Sequence, residues 1–178
     1  IIGVGAVIAM TAIGAGAQAR VEDQIRSLGS NLIIVLPGNI TSGGVRMGSG
    51  AQLTLSEDDA AALPREVAEI EVAAPQLRGG GQVVFGNSNW STQILGVTPD
   101  YLVAREWEVT SGRPMTGADV DGASKIVLVG QTVARTLFGE SDPVGETIRI
   151  RNVPHEIVGL LDRKGQSMIG QDQDDVVL

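Results

Sequence analysis

The chain opens with IIGVGAVIAMTAIGAGAQA, residues 1–19, in which no side chain carries a charge. As an α-helix this stretch would be about 28 Å long, close to the hydrocarbon thickness of a bilayer. Small residues recur along it at three- and four-residue spacing, which lets a neighbouring helix approach closely in lipid; they are Gly5, Ala9, Ala12 and Gly16. We therefore expect the end of a transmembrane helix here, and the lack of a basic flank before Ile1 predicts that the helix starts further upstream.

Two other interpretations of this stretch remain. A buried Gly/Ala-rich helix would carry four glycines, each costing about 1 kcal/mol relative to alanine in an isolated soluble helix, which favours the membrane. Residues 14–19 also fit the GxGxxA turn of dinucleotide-binding folds, which would indicate an NAD-dependent oxidoreductase. That site needs an acidic residue about twenty positions further on, where the chain has Leu36, Pro37 and Gly38.

The pattern becomes amphipathic after Ala19, with one apolar face formed by Ala17, Val21, Ile25 and Leu28. Glu22 and Arg26 form a favourable pair on the opposite face. Gly29 is a typical residue at a helix C-terminus. We expect residues 1–28 to be the end of transmembrane helix 1 and a continuous stalk, which could transmit movement out of the bilayer.

Composition excludes several classes of function. The net charge of −8, with only 13 Lys and Arg residues, argues against nucleic acids and anionic membrane surfaces as partners. The chain has no cysteine, which excludes disulfides, thiolate nucleophiles and cysteine-rich zinc sites. Aromatic residues make up 3% and glycines number 24, so the core must rest on Val, Ile, Leu and Ala in a sheet-rich fold.

The first half of the remaining chain predicts a strand, a helix and a second strand. Residues 31–36 are a β-branched run, and residues 39–52 read as a mobile loop rich in Gly, Ser and Thr. Thr54 or Ser56 can cap a helix whose first turn is acidic, and Pro64 limits its length. Residues 67–74 alternate apolar and acidic side chains, which is typical of a strand with one wet face.

The second half reads as a succession of short elements, and Gly79-Gly80-Gly81 suggests a boundary before it. Hairpins are predicted for 82–85 with 90–97 and for 147–150 with 155–161, and turns at 111–114 and 142–145. Between them we expect a short helix from Thr98-Pro99, a buried strand at 125–129, and a helix at 131–138 that Gly139 ends. Residues 165–175 are polar and irregular, and 176–178 begin a strand that the sequence leaves unfinished.

Few residues qualify as a chemical site. His155 is the single histidine, and without a cysteine or a GxSxG turn it is predicted to be a solvent-facing strand residue. Asp172, Asp174 and Asp175 resemble the start of a calcium loop but lack its glycine and closing glutamate. No GxxxxGK motif followed by Ser or Thr is present. We therefore predict no catalytic residue, no cofactor-binding residue and no metal ligand in this segment, and we expect that it is not an enzyme.

Seven short blocks of sequence together resemble the MacB-like family of ABC transporter permeases. In chain order they are IGVGAVIAM at 2–10, GAQARV at 16–21, LGSNL at 28–32, GVTPDY at 96–101, GR at 112–113, DPVG at 142–145 and DQDD at 172–175. Each block alone is weak, but the succession covers nearly the whole chain.

The resemblance implies an α+β fold, in which a partly transmembrane N-terminal helix leads into a mixed α/β extracytoplasmic domain. Residues 29–78 would form a porter-like β-α-β unit, residues 79–165 an inserted sabre-like subdomain, and residues 166–178 the return to the porter-like part. The protein would lie in the bacterial inner membrane, with this domain in the periplasm or outside the cell.

By the same resemblance, the function would be mechanotransmission, in which cytoplasmic ATP hydrolysis drives export of a substrate through movement of the stalk helices. The partners that the resemblance implies are a second permease in a homodimer or heterodimer, a cytoplasmic ATP-binding domain or subunit, and a periplasmic adaptor with an outer-membrane channel. The alternative within the superfamily is a lipoprotein-releasing permease subunit, which would bind lipid-modified cargo.

Overall fold

The computed structural model describes residues 55–167 and 170–178, together with Met10, 32–37, 41–42 and 45–46. The predicted transmembrane helix and stalk, residues 1–28, lie outside the described residues except for Met10, which is helical and exposed. Within the described part of the chain, no helix has the length and apolar character needed to cross a bilayer.

The described elements alternate between strands and short helices. In chain order they are β1 (Thr41–Ser42), β2 (Val45–Arg46), α1 (Glu57–Glu66), β3 (Gln76–Phe85), β4 (Ser88–Val97), α2 (Asp100–Ala104), β5 (Val109–Gly112), α3 (Gly117–Asp121), β6 (Ile126–Val129), α4 (Gln131–Phe138), β7 (Thr147–Ile150), β8 (Val153–Leu161) and β9 (Val176–Val177). The predicted mixed α/β character is confirmed.

The main sheet has the strand order β5-β8-β6-β9-β4-β3-β7, and β7 also pairs with β8. The pairings among β7, β8, β6, β9, β4 and β3 therefore form a closed ring. Strand β8 closes the ring because it pairs with both β6 and β7. Strand β5 lies outside the ring and pairs with the last residues of β8. The pairs β6–β8 and β4–β9 are parallel, and the others in this sheet are antiparallel. Closure leaves few unpaired strand edges, which in an open sheet would invite aggregation.

Both predicted hairpins are confirmed, and both are longer than the sequence suggested. Strands β3 and β4 pair over ten residues each around the two-residue turn Gly86-Asn87. Strands β7 and β8 are joined by Arg151 and Asn152, whose φ values of 50° and 68° are those of a tight hairpin turn. Such a turn matches the twist of the strands that it connects.

The core consists of two apolar clusters that share β6. Val127 and Val129 belong to the first cluster, where Val133 and Leu137 of α4 pack. Leu128 points the opposite way, into a second cluster with Trp107 after α2. The helix predicted at 131–138 is confirmed, and α4 ends at Gly139 as predicted, while the strand predicted at 125–129 is confirmed over 126–129. Alternation along β6 thus makes this short strand part of both clusters.

The predicted strand–helix–strand unit over residues 31–74 is wrong in its two strands. Residues 32–37 have no regular secondary structure, and Ile33 is 81% exposed and Leu36 70% exposed. Residues 67–75 form no strand either, and β3 begins only at Gln76. Both stretches have suitable side-chain patterns, but no described strand pairs with them, and a strand needs a pairing partner.

The helix of that unit is confirmed, and Ser56 is its N-cap. The Ser56 backbone N–H donates to Asp59 Oδ2 at 2.8 Å, and the Asp59 backbone N–H donates to Ser56 Oγ at 3.2 Å. This reciprocal pair satisfies two helix-end donors. Pro64 lies inside α1 and not at its end, since the helix continues to Glu66.

The triple glycine does not end a strand, and the break in secondary structure predicted there is absent. Gly79, Gly80 and Gly81 lie in the middle of β3, so this strand runs across the position of the predicted boundary between 78 and 79. A side chain at Gly81 would place Cβ 2.7 Å from Ile94 Cδ1 on the paired strand. The turn predicted at 111–114 is also wrong in its first half, because Ser111 and Gly112 belong to β5.

We predict that Leu128→Ala lowers the free energy of unfolding by about 2–5 kcal/mol, because it removes a fully buried side chain and leaves a cavity. Urea unfolding followed by circular dichroism measures the change. Leu77→Ala is the matched control, since Leu77 is 62% exposed. An equal loss in both variants would contradict the assignment of Leu128 to the core.

Candidate functional site

Four consecutive residues before β9, Asp172-Gln173-Asp174-Asp175, bind four different parts of the fold. We call them the clamp. Asp172 Oδ2 accepts a hydrogen bond of 2.7 Å from Thr132 Oγ1 in α4. Asp175 Oδ1 accepts one of 2.8 Å from Trp90 Nε1 in β4. The two outer carboxylates therefore attach the start of β9 to a helix on one side and to a strand on the other.

Asp174 is the buried member of the clamp, with 3% of its surface exposed. Its carboxylate accepts from the backbone N–H groups of Lys164 at 2.7 Å and Gly165 at 3.0 Å. Arg163 Nε lies 3.8 Å from Asp174 Oδ2. Removing this carboxylate would leave two partly buried N–H groups without their acceptor, at about 1–3 kcal/mol for each group.

Gln173 connects the clamp to the end of α2. Its Oε1 accepts from Arg105 Nη2 at 3.1 Å. Arg105 Nε and Gln173 Nε2 are shielded from solvent and have no protein acceptor within the described part of the chain. Buried donors of this kind are commonly satisfied by an ordered water.

Lys164 packs beside this link, with Nζ 5.8 Å from the centre of the Trp107 ring. Burial lowers the pKa of Lys164, and the nearby positive charge of Arg105 lowers it further. The ammonium group nevertheless lies within the influence of the acidic groups Glu106, Asp162 and Asp174, which act in the opposite direction. The clamp region is therefore a mixed network of charges and not a free cationic site.

Backbone contacts tighten the same region. The Thr132 N–H donates to the Asp174 carbonyl at 3.2 Å, and the Gly130 N–H donates to the Val176 carbonyl at 2.9 Å. A Cβ atom at Gly130 would lie 2.2 Å from the Asp174 carbonyl oxygen. Glycine is therefore required at position 130 for the start of α4 to sit against the clamp.

A second exposed ion pair fixes the connection between β5 and β6. Arg113 holds Asp119 with two hydrogen bonds of 2.7 and 2.9 Å, and the Thr116 N–H and Oγ1 donate to the same carboxylate. The Arg113 guanidinium and then the Thr116 donors hold the pKa of Asp119 well below its usual range. Since the Arg113 side chain is half exposed to solvent, this pair orders the loop more than it stabilises the fold.

Two depressions border these elements. A polar cleft of about 230 Å³ lies beside the clamp and includes Arg135, Arg163 and Gln166. An apolar groove of about 310 Å³ lies at the end of β9, between the last residues of β4 and the first of β6. The groove is there because β9 pairs only with Gln93 and Ile94 of the much longer β4.

Each side chain of the clamp accepts a hydrogen bond from a donor elsewhere in the fold. Asp172, Asp174 and Asp175 face different donors and do not converge on one point. Over the described ranges, no three His, Asp or Glu side chains are grouped so that they could hold a metal ion. His155 lies in β8, half-buried, with Nδ1 3.0 Å from the Val153 carbonyl oxygen. It is thus less exposed than the solvent-facing position predicted for it. The glycine motif at 14–19 lies outside the described residues.

Sequence reasoning singled out the aspartates of the clamp but none of their partners. Trp90, Arg105 and Thr132 lie 85, 68 and 40 residues away from the clamp residues that they bind. No local pattern marks such pairs. The only signal in the sequence is an unbroken polar run directly before a β-branched strand.

Comparison with known proteins supports one family. The model of the MacB-like periplasmic core domain matches residues 1–178. The macrolide export ATP-binding/permease protein MacB of Syntrophobacter fumaroxidans is 41% identical over 179 residues, covering 100% of this chain and 25% of the relative. The protein of the same name from Bdellovibrio bacteriovorus is 39% identical over 178 residues, covering 100% of this chain and 27% of the relative. The chain thus spans about a quarter of the length of these relatives.

Solved structures show the same fold. The periplasmic region of MacB from Actinobacillus actinomycetemcomitans superposes with a TM-score of 0.62 at 22% identity, covering 72% of this chain and 56% of that structure. The extracellular domain of the noncanonic ABC-type transporter YknZ from Gram-positive bacteria superposes with a TM-score of 0.58 at 17% identity, covering 69% of this chain and 60% of that structure. The family suggested by the seven sequence blocks is therefore confirmed, and the chain belongs to the MacB-like periplasmic core domain family.

Proposed function

We propose that this chain is the extracytoplasmic domain of an ABC transporter permease subunit that couples cytoplasmic ATP hydrolysis to export of a substrate. The observation that carries the proposal is the match of the family model over all 178 residues. Relatives that are 39–41% identical over the whole chain are named macrolide export ATP-binding/permease proteins. A macrolide is therefore the first substrate to test.

The fold supports a role in transmitting movement. Its main sheet closes on itself, and its core is divided between two clusters that share β6. Closely packed elements of this kind move as units and transmit strain. A domain built in this way would pass a displacement from one end to the other.

The proposal includes a place in the cell and a set of partners. The domain would lie in the periplasm or outside the cell, attached to the inner membrane through residues 1–28. It would act in a homodimer or heterodimer of permeases together with a cytoplasmic ATP-binding domain or subunit. A periplasmic adaptor and an outer-membrane channel would complete an export route.

We expect the full-length permease, reconstituted in liposomes with its ATP-binding part, to move erythromycin only when ATP is hydrolysed. Uptake of labelled erythromycin into these liposomes, with ATP supplied on the outside, measures this. The control is a variant of the ATP-binding part that binds ATP without hydrolysing it. Recovery of lipid-modified proteins with the purified dimer, combined with no movement of erythromycin, would contradict macrolide export and support the lipoprotein-releasing alternative.

The stalk provides the second test, because a proline in the middle of a helix removes a backbone hydrogen bond and kinks the helix. We predict that Val21→Pro or Ile25→Pro leaves ATP hydrolysis intact but reduces the amount of substrate moved per ATP. Val21→Ala and Ile25→Ala are the matched controls, since they shorten the same side chains without breaking a helix. Equal transport per ATP in the proline and alanine variants would argue against mechanical coupling through the stalk.

A further inference from the structure

We propose that the clamp, residues 172–175, is the joint through which a pull along β9 reaches the rest of the domain. The proposal rests on the proposed function, in which the domain passes on mechanical displacements. It concerns a specific set of side chains, and its test measures force on the chain itself and needs no transport.

Strand β9 is too short to resist a pull by its own pairing. Val176 and Val177 pair in parallel with Gln93 and Ile94 of β4, and Val177 pairs with Val129 of β6. Leu178 adds two backbone hydrogen bonds of 2.9 Å with Leu128. Backbone hydrogen bonds contribute little net free energy each in water, so this short ladder holds β9 weakly on its own, and the burial of its three side chains adds to it.

The clamp adds a bond to each neighbour of β9 at the same end of the strand. On one side, Asp175 binds Trp90, which belongs to β4. On the other side, Asp172 binds Thr132, which follows β6 at the start of α4. The segment directly before β9 is therefore bonded to strand β4 on one side and to the helix that follows β6 on the other.

The backbone between these two bonds is also closely packed. The Asp174 carbonyl accepts from Thr132 N–H, and the close approach at Gly130 leaves no room for a side chain. The Asp174 carboxylate ties the clamp back to Lys164 and Gly165, which follow β8. A displacement of β9 would therefore shift β4, α4 and the end of β8 together.

Trp90 makes this connection more than a surface contact. Its indole packs against the first core cluster while its N–H reaches Asp175. A pull that moved Asp175 would act on a half-buried side chain that packs against the core. The bond from Asp172 reaches α4 in the same way, because Val133 beside Thr132 is fully buried.

Single-molecule pulling tests the joint directly. The chain contains no cysteine, so one handle can be attached through Ser141→Cys in an exposed turn and the other after Leu178. In the unaltered chain we expect β9 to stay bound until the domain unfolds as a whole. In the double variant Asp172→Ala/Asp175→Ala we expect an earlier event that releases β9, with unfolding at a fixed force about tenfold faster.

Two controls separate a joint from a general loss of stability. Asp58→Ala/Asp121→Ala removes two exposed carboxylates and makes the same change in net charge, and it should leave the rate unchanged. Pulling between Ser141→Cys and Val153→Cys, two exposed positions, loads β7, which contains no clamp residue and no partner of one, and there the clamp variant should differ much less from the unaltered chain.

An unchanged unfolding rate in the clamp variant pulled through Leu178 would overturn the proposal. So would an equal increase in both pulling geometries, because that result would show general weakening of the fold. Either result is independent of erythromycin transport. Failure of the joint and failure of the proposed function can therefore be told apart.

Discussion

The structure depends on the insertion of one short strand between two longer neighbours. Val176, Val177 and Leu178 lie between β4 and β6 and are buried. Without them the ring of strands would open, because no other described strand joins β4 to β6. Hydrophobic burial on this scale contributes about 1.5–3 kcal/mol for each large side chain. A sheet formed by residues that are distant in sequence is thus completed by the last described residues of the chain.

The clamp follows from that constraint. A strand whose ladder is so short needs other contacts to hold its register, since a slip of one residue would turn its side chains to the opposite face. Asp172 and Asp175 supply such contacts through Thr132 and Trp90. The same bonds that fix the register also connect β9 to α4 and to the long hairpin. Structural need and the proposed mechanical role therefore rest on the same side chains.

Local features of the fold could be predicted from the sequence, and distant pairings could not. The hairpin around Gly86-Asn87 and the helix ending at Gly139 have signals within a few residues, and both are present. Residues 32–37 and 67–75 have the side-chain pattern of strands but no described strand to pair with, and neither forms a strand. The glycines at 79–81 suggest a break in the sequence, whereas in the fold they lie within β3, where the lack of a side chain at Gly81 makes room for Ile94 of the neighbouring strand.

The clamp shows the same limit for the site. Its polar residues are conspicuous in the sequence, and three nearby aspartates are a pattern that suggests a metal site. In the fold these aspartates accept hydrogen bonds from Trp90, Thr132 and the backbone at Lys164, which come from separate elements. The succession of family blocks was more informative than any single motif, because it reflects the whole fold and not one local pattern.

Hydrogen exchange of individual backbone amides measures the central claim most directly. If β9 completes the ring, the N–H groups of Leu128, Gly130 and Leu178, which are bonded across β9 and β6, should exchange only when the whole domain unfolds. They should then be among the slowest amides of the chain, together with those of β8. Exchange of the Leu178 and Gly130 amides as fast as that of residues 67–75 would show that β9 detaches on its own, and would contradict the account.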